Sequence, residues 1–341
     1  MLQAIKSAGR RVLARLPDRS RRVLSRLRGR VLILGYHRVL SDAELGRHFV
    51  QPGMYVHARA FEAHVRFLQR HFRIITFSDF FRLQRARAWD PDERYCLLTF
   101  DDGWLDNYVH AYPILRRHQV PATIFVSTAL IGSEEWLWPE KLAWLLTRSG
   151  HPSGVVRQRL QPLEARYPWL AGLAAAGATA RLDAAIERCK RMSDHAVADL
   201  LLEMAARLEV ALPKERLFLD WRHVEEMSGG GIAFGSHAAT HRLLPRLSTA
   251  ELRAETSGSL RTLQRQGVHW VPVFCYPNGD HSDAVVDHVR AAGFTAAVSA
   301  EPGAETWDSP DGFRLRRIGV HHDVSASPSL FTFHLWRTVC A

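Results

Sequence analysis

The sequence lacks several features that would assign it to a simple class. Its four cysteines form neither a C-x-x-C pair nor the framework of a small secreted domain. No apolar run approaches the roughly 18 residues that are needed to span a bilayer. Arginines interrupt every stretch near the amino terminus that resembles the apolar part of a secretory signal. These absences favour a reducing compartment, and the cytoplasm is the expected location.

Positive charge is concentrated at the amino terminus. Residues 1–30 contain ten basic side chains and one acidic side chain, so they carry +9 of the net charge of +10. The other 311 residues therefore sum to about +1. The high isoelectric point thus describes one segment, and nucleic acid is not expected as a partner of the main body.

The basic segment has an internal near-repeat. Arg10–Leu16 and Arg21–Leu27 are offset by 11 residues, which is close to three helical turns and would align their aliphatic side chains on one face. Pro17 is expected to divide the segment into two short helices. A basic amphipathic segment of this kind suits an anionic membrane surface, which would place the protein on the inner face of the cell membrane. A frayed tail or a helix that covers the domain is the alternative.

From residue 31 onward, short apolar strands alternate with amphipathic helices. Continuous apolar runs predict strands that are buried on both faces, and these runs lie at 31–36, 95–100, 122–126 and 231–236. Further strands are predicted near 74–76 and at 271–275, 295–299 and 314–320. The alternation predicts an α/β fold with a parallel sheet. Asp106 is expected to cap the helix that follows residue 103.

The strand pattern stops between about 134 and 226, where helix and loop are predicted instead. We interpret this stretch as a helical insertion within one domain that spans residues 31–341. Four tryptophans lie in the insertion, at positions 136, 138, 144 and 169. Their rings could stack on sugars, but a role in the core of the insertion is favoured.

Two acids and two histidines follow predicted strands. Asp101 and Asp102 end the strand at 95–100, while His237 and His241 follow the strand at 231–236. The histidine spacing alone is weak, because 18 histidines in 341 residues give about one such pair by chance. Two adjacent buried carboxylates are costly unless a cation neutralises one of them. One acid and two imidazoles suit zinc or a related ion, and the other acid stays free as a base.

The stretch Thr99–Gly103, read as T-F-D-D-G, resembles the first motif of the polysaccharide deacetylases, carbohydrate esterase family 4. The resemblance covers roughly residues 31–130 and 225–322, and it implies a distorted (β/α) barrel. It also implies that Asp101 is the general base. The residues that correspond to the ligands of a divalent metal, most simply Zn²⁺, are Asp102, His237 and His241.

Two positions depart from the family pattern. Ala238 stands where Ser or Thr is usual in the H-[ST]-x-x-H motif, and Cys275 stands where an Arg normally orients the base. Arg317 is the candidate for supplying the missing positive charge, with a solvated surface Arg as the alternative. The backbone around Tyr276–Asn278 is expected to donate an N–H group to the oxyanion.

The general acid is expected to be His37, at the end of the strand at 31–36. This placement resembles the rearranged order of bacterial poly-N-acetylglucosamine deacetylases, in which such a strand precedes the T-F-D-D-G motif. His321 or His322 is the alternative acid, and a structural role for His37 is the other alternative.

The sequence therefore predicts a metal-dependent hydrolase that removes N-acetyl groups from an amino sugar. Its expected partner is an N-acetylated glycan or a lipid-linked sugar. The alternatives are O-deacetylation of a glycan and a catalytically silent carbohydrate-binding protein that keeps the fold.

Overall fold

The computed structural model of the protein describes residues 24–47, 50–147, 153–174, 178–306 and 311–340. Most of the predicted basic segment at 1–30 lies outside the described residues, so its helices and its membrane role stay predictions. The chain divides into two compact units. A barrel unit comprises the residues up to 41, 52–133 and those from 218 onward, and a helical unit comprises 42–51 and 134–217. None of the described helices is long and apolar enough to cross a bilayer.

The barrel unit contains a parallel sheet whose strands are β1 (Val31–Tyr36), β4 (Arg73–Ile74), β5 (Tyr95–Phe100), β6 (Ala122–Val126), β7 (Ile232–Ser236), β8 (Trp270–Cys275), β9 (Ala296–Val298) and β10 (Ile318–Gly319). They lie in the order β10-β1-β5-β6-β7-β8-β9, and β4 pairs with the first residues of β5, whereas β6 pairs with its last residues. A separate parallel pair consists of β2 (Arg38–Leu40) and β3 (Tyr55–His57). The α/β fold with a distorted (β/α) barrel is therefore confirmed.

Helices lie between the strands, as the alternation predicts, and two more follow the last strand. In chain order they are α1 (Asp42–Arg47), α2 (Ala58–His71), α3 (Phe77–Ala86), α4 (Tyr112–His118), α5 (Trp138–Thr147), α6 (Ser153–Leu160), α7 (Ala178–Cys189), α8 (Asp194–Leu208), α9 (Trp221–Gly229), α10 (Thr249–Arg265), α11 (Asp283–Ala292), α12 (His322–Ser325) and α13 (Pro328–Cys340). Helix α9, at the end of the predicted insertion, belongs to the barrel unit.

The sheet curls around one apolar cluster and packs its outer face on another. Ile33 of β1 and Val273 of β8 belong to the same cluster although three strands separate β1 from β8 in the sheet. Leu34, the next residue of β1, belongs instead to the cluster that contains Phe61 and Val65 of α2. Successive side chains of a strand point to opposite faces, so each strand is buried on both sides.

The predicted strand at 314–320 is divided between two neighbours. Leu315 forms a parallel bridge with Val298 of β9, and Ile318 pairs with Leu34 of β1. This short segment therefore runs from one edge of the sheet to the other and brings the barrel close to closure. The crossing explains why β10 itself is only two residues long.

The helical unit has its own apolar core. The core is built mainly from α5, α7 and α8, with Leu142, Leu182 and Met204 among its buried members. Trp138 and Trp169 pack against this core, while the indole N–H groups of Trp136 and Trp144 donate to backbone carbonyls. These contacts agree with the core role that we favour for the tryptophans.

Candidate active site

The residues of interest follow strands whose carboxyl ends lie at one edge of the barrel. His37 comes directly after β1, Asp101 after β5 and His237 after β7, and Cys275 is the last residue of β8. Because all these strands are parallel, their carboxyl ends meet there. The fold thus brings together side chains as far apart in sequence as His37 and Cys275, which are 238 positions apart.

The turn after β5 separates the two carboxylates. Asp102 and Gly103 both have left-handed backbones, with φ of 73° and 86°. A Cβ atom at position 103 would lie 3.0 Å from side-chain carbons of both Val126 and Ile131, so the position requires glycine. Asp101 and Asp102 are both buried, at 2% and 1% exposure, yet this turn directs them to different partners.

Asp102 faces the two histidines of the H-x-x-x-H pair. Its Oδ1 atom lies 3.3 Å from Nε2 of His237 and 3.2 Å from Nε2 of His241. One ligand atom from each of the three residues falls within 4.8 Å of the others. Burial by itself would raise the pKa of Asp102, but its contacts with the two imidazoles hold that pKa well below the usual range.

The donor set fits a divalent cation. Oδ1 of Asp102 is buried and has no partner with hydrogen-bond geometry among the described residues. The Nδ1 atom of His237 lies 2.8 Å from the carbonyl oxygen of Cys275. Since a carbonyl only accepts, Nδ1 carries the proton, and a neutral His237 then presents a lone pair on Nε2. Two imidazoles and one carboxylate of this kind are typical ligands of zinc in sites that keep an open position.

Trp104 holds the other oxygen of Asp102, a contact that the sequence reasoning missed. Its indole N–H donates to Oδ2 of Asp102 at 2.7 Å, and its fully buried ring stacks on Phe218. The guanidinium of Arg38 lies 4.6 Å from the centre of the same ring. This arrangement leaves Oδ1 as the oxygen that is available to a metal.

The expectation that Asp106 caps a helix is wrong. Its backbone is helical, its side chain makes no capping hydrogen bond, and a π-helical turn, Asn107–Ala111, follows it. Its carboxylate instead accepts from Nε of Arg38 and from the backbone N–H of Val39, both at 2.8 Å. A buried ion pair that positions Arg38 over Trp104 has therefore replaced the cap.

We expect Trp104→Phe to weaken Zn²⁺ affinity ~10–100-fold, as the loss of a hydrogen bond to a ligating group typically does. The variant removes the indole N–H but keeps an aromatic ring against Phe218. Competition with a chromophoric chelator would measure the change. Trp136→Phe is the matched control, since Trp136 is also buried and donates at 2.7 Å, to a carbonyl in the helical unit. Equal affinities in the two variants would contradict this role of Trp104.

Asp101 is held by Arg317 in a bidentate ion pair. The Nη1 and Nη2 atoms of Arg317 donate to the two carboxylate oxygens at 2.7 and 2.8 Å. Arg317 is itself buried, and its Nε donates to the carbonyl of Ser299 at 2.9 Å. Burial would raise the pKa of Asp101, but the charge and hydrogen bonds of Arg317 lower it to about 2. The alternative of a solvated surface Arg at position 317 does not apply.

A glycine in β1 lets Arg317 reach Asp101. A Cβ atom at position 35 would lie 3.4 Å from Nη1 of Arg317, at the limit of ordinary contact. A larger side chain there would occupy the space of the guanidinium. Glycine in the middle of a buried strand often marks such a close approach, so the Leu34-Gly35-Tyr36 stretch carries a signal for this contact.

Cys275 also contacts Asp101 but is a poor metal ligand. Its Sγ atom lies 3.5 Å from Oδ1 of Asp101, and the two residues with His237 form a second set of close ligand atoms. Burial raises the pKa of the Cys275 thiol well above its usual range, whereas a thiol must lose its proton to bind metal. Both oxygens of Asp101 already accept from Arg317, so this second set does not fit a cation.

His37 is the candidate acid that lies closest to Asp101. Its Nε2 atom is 3.8 Å from Oδ2 of Asp101, and 31% of its side chain is exposed, so a ligand can reach it. Burial lowers the pKa of His37, against the opposing effect of the two nearby carboxylates. The alternative acids have other contacts. His321 pairs with Asp323, and His322 stacks on Tyr55.

Of the predicted stretch Tyr276–Asn278, one backbone N–H group is left as the candidate donor to an oxyanion. The N–H of Tyr276 already donates to the carbonyl of Val298 at 3.3 Å, and Pro277 has none. Asn278 is therefore the remaining donor of the predicted stretch, and its left-handed backbone, with φ of 58°, sets the direction of its N–H. The expected oxyanion donor within Tyr276–Asn278 is therefore the backbone N–H of Asn278.

Comparisons with known proteins point to one family. A sequence profile described as polysaccharide deacetylase matches residues 89–297. The protein YxkH of Bacillus subtilis (strain 168), which is named for that family, is 31% identical over 296 residues, covering 86% of this chain and 73% of YxkH. A poly-beta-1,6-N-acetyl-D-glucosamine N-deacetylase of Staphylococcus aureus (strain MSSA476) is 27% identical over 133 residues, covering 36% of this chain and 45% of that enzyme.

A solved structure supports the same fold. The deacetylase PplD of Streptococcus pyogenes, in complex with acetate, aligns with a TM-score of 0.56 at 18% identity. The alignment covers 91% of this chain and 98% of PplD. At that identity, the similarity concerns the fold alone.

Proposed function

The chain belongs to the polysaccharide deacetylase family, and we propose that it removes N-acetyl groups from an amino sugar, releasing acetate. The arrangement of two adjacent buried carboxylates carries this proposal. Asp101 is paired with Arg317, whereas Asp102 faces His237 and His241. One acid is thereby suited to proton transfer and its neighbour to holding a metal, for which Zn²⁺ best matches the donor set.

Asp102, His237 and His241 would hold a divalent ion, which would supply Lewis acidity toward the acetamide carbonyl and toward water. Asp101 accepts a proton from the attacking water as the oxygen bonds to the carbonyl carbon. Its low pKa keeps this carboxylate charged throughout the neutral range. Arg317 has no protonation role, since its charge is fixed, and it orients the carboxylate through two hydrogen bonds.

His37 donates a proton to the amide nitrogen as the carbon–nitrogen bond breaks, which yields acetate and a free amine. A lowered pKa makes the imidazolium a stronger acid, although less of it is protonated at neutral pH. The N–H of Asn278 stabilises the negative charge that develops on the carbonyl oxygen. The proton held by Asp101 then passes to His37, which restores both side chains, and the carboxyl proton of the product is released to solvent as acetate forms.

Acetate release from N-acetylglucosamine oligomers by the Zn²⁺-loaded protein is the direct test. We expect stoichiometric acetate and free amine from the N-acetyl substrate, with a slower reaction on O-acetylated glycans. A reaction confined to O-acetyl groups would favour the O-deacetylase alternative. Tight binding of the oligomer without acetate release would favour a silent carbohydrate-binding protein.

The form of the substrate is a finer part of the proposal. A polysaccharide is supported by the family and by the staphylococcal relative. A lipid-linked saccharide and contact with an anionic membrane surface are supported by the basic residues 1–30, and a cytoplasmic location by the cysteine pattern and by the arginines that interrupt the apolar stretches near the amino terminus. These three points stay predictions.

The acidic limb of the wild-type pH profile of kcat/KM lies below pH 4, because the pKa of Asp101 is about 2. We expect Arg317→Met to move this limb upward by about two pH units or more, into the measurable range. Without the guanidinium, burial dominates and raises the pKa of Asp101, so the base is protonated over more of the acidic range. The activity loss should therefore be largest at low pH and smallest above neutrality. Initial rates between pH 4 and pH 9 measure the shift.

Arg316→Met is the matched control, since Arg316 is adjacent in sequence but pairs with Glu305 at 3.1 Å. Removing one partner of a buried ion pair costs about 3–5 kcal/mol of stability, so Arg317→Lys serves as a milder second variant. It keeps the charge but loses the planar two-point contact. An unchanged pH profile in both Arg317 variants would contradict the assigned role.

A further inference from the structure

The backbone between the two histidines of the candidate metal site is strained. Ala238 and His241 both have φ of 63°, in the left-handed region that non-glycine residues seldom adopt. Such conformations persist only where surrounding contacts hold them. The direction of the His241 side chain therefore depends on whatever fixes this loop.

One side of the loop is held through its carbonyl groups. The hydroxyl of Ser127 donates to the carbonyl of His237 at 3.1 Å. The backbone N–H groups of Thr128 and Ala129 donate to the carbonyls of Ala238 and Ala239, at 3.2 and 2.8 Å. The segment that follows β6 thus binds every carbonyl from position 237 to position 239.

The other side is held through N–H groups by one buried acid. Glu255 lies within α10 and is only 4% exposed. Its Oε2 accepts from the backbone N–H groups of Ala239 and Thr240, both at 2.8 Å. Its Oε1 accepts from the hydroxyl of Thr240. A carboxylate that is buried in this way is stabilised by charge-assisted hydrogen bonds, so it fixes the loop firmly to the helix.

We propose that Glu255 is a positioning residue for the metal: it holds the strained loop in the conformation that aims Nε2 of His241 at Asp102. The inference rests on the proposed metal site. His237 is held independently, because it directly follows β7 and its Nδ1 atom contacts the carbonyl of Cys275. Loss of Glu255 therefore acts mainly on His241. Without the carboxylate, the loop relaxes toward ordinary φ values and the third ligand moves away.

The contacts of Glu255 also explain how the loop is held although Ala238 has no hydroxyl group. A methyl group at that position makes no hydrogen bond and is instead buried in the apolar cluster that includes Leu252 and Leu260 of α10. The loop therefore receives its polar support from outside, through Glu255 and through residues 127–129. The same helix contributes both the apolar and the polar contact.

Zn²⁺ and Co²⁺ binding to the full chain provides the test. Relative to wild type, Glu255→Gln should weaken Zn²⁺ affinity ~10–100-fold and alter the visible absorption of the Co²⁺ form, because one ligand changes position. Thr240→Val replaces only the hydroxyl, by a methyl group, and should weaken affinity by about threefold or more, the value of one lost hydrogen bond. Thr256→Val is the control. It loses a buried hydrogen bond within α10, to Leu252, that does not involve the loop.

The outcomes separate the inference from the proposed function. If wild type binds neither ion, the proposed metal site is wrong whatever Glu255 does. If wild type binds and Glu255→Gln binds equally well, with the same Co²⁺ spectrum and only a lower Tm, Glu255 has a purely structural role and the inference is overturned. If Glu255→Gln does not fold, Thr240→Val decides, and an affinity equal to that of Thr256→Val overturns the inference.

Discussion

Asp101→Asn is expected to lower kcat for N-acetyl hydrolysis by about 10²–10⁴-fold, the usual contribution of a positioned base. The amide keeps the size of the carboxylate but cannot accept a proton from water. Zn²⁺ affinity should stay within a few-fold of wild type, since Asp101 is paired with Arg317 and not with the histidines. Rates from single-turnover acetate release and affinities from chelator competition would be compared on the same preparations.

The contrast with Asp102→Asn makes this prediction specific. That variant should lose both turnover and metal binding, because Asp102 contributes an oxygen to the three-residue set. Asp101→Asn leaves Arg317 buried without its counter-charge, so its folding must be verified by thermal unfolding. If folded Asp101→Asn turned over at the wild-type rate, the proposed base would be wrong.

His37→Gln should lower kcat on N-acetyl substrates by about 10²–10⁴-fold but leave the hydrolysis of 4-nitrophenyl acetate nearly unchanged. An amine leaves only when protonated, whereas 4-nitrophenolate leaves without a proton. Loss of a general acid therefore affects the first substrate and spares the second. Loss of a base or of a metal ligand would affect both.

The alternative acids supply the controls for this experiment. His321→Gln and His322→Gln should retain rates within a few-fold of wild type on both substrates, because their rings contact Asp323 and Tyr55. Should either variant reproduce the selective loss, the acid would be assigned to that residue and not to His37. If His37→Gln lost both activities together, a structural role would explain His37.

The long strands were predictable because each is a continuous apolar run. The runs at 31–36, 95–100 and 122–126 coincide with β1, β5 and β6, since strands buried on both faces need no polar alternation. The run at 314–320 was harder, because its pairing changes from β9 to β1 within a few residues. Pairing of that kind depends on barrel closure, which no local pattern encodes.

The convergence of Asp102, His237 and His241 could be predicted because all three follow parallel strands. The partner of Asp101 could not be decided, since Arg317 is one of many arginines. Whether Arg317 can reach Asp101 depends on the space beside Gly35, which its guanidinium occupies. The prediction that Asp106 caps a helix is wrong for a related reason. A distant residue, Arg38, offers that carboxylate a stronger partner than the local N–H groups do.

Two supporting residues carried signals that the sequence reasoning did not use. Glu255 lies between Leu252 and Ser259 on the buried side of α10, where a charged residue is out of place unless it has polar partners. Trp104 directly follows the acidic motif, and a buried indole usually has an acceptor for its N–H. In both cases the sequence marks the residue but does not identify the partner.

The central claim is that one bound metal ion, held by Asp102, His237 and His241, is required for acetate release. Metal-free protein should be prepared with a chelator and titrated with Zn²⁺ while bound metal and acetate release from an N-acetylglucosamine oligomer are measured together. The account predicts negligible release without metal, a rise in proportion to bound Zn²⁺ up to one ion per chain, and no recovery in Asp102→Asn. Full activity in the metal-free protein would contradict it.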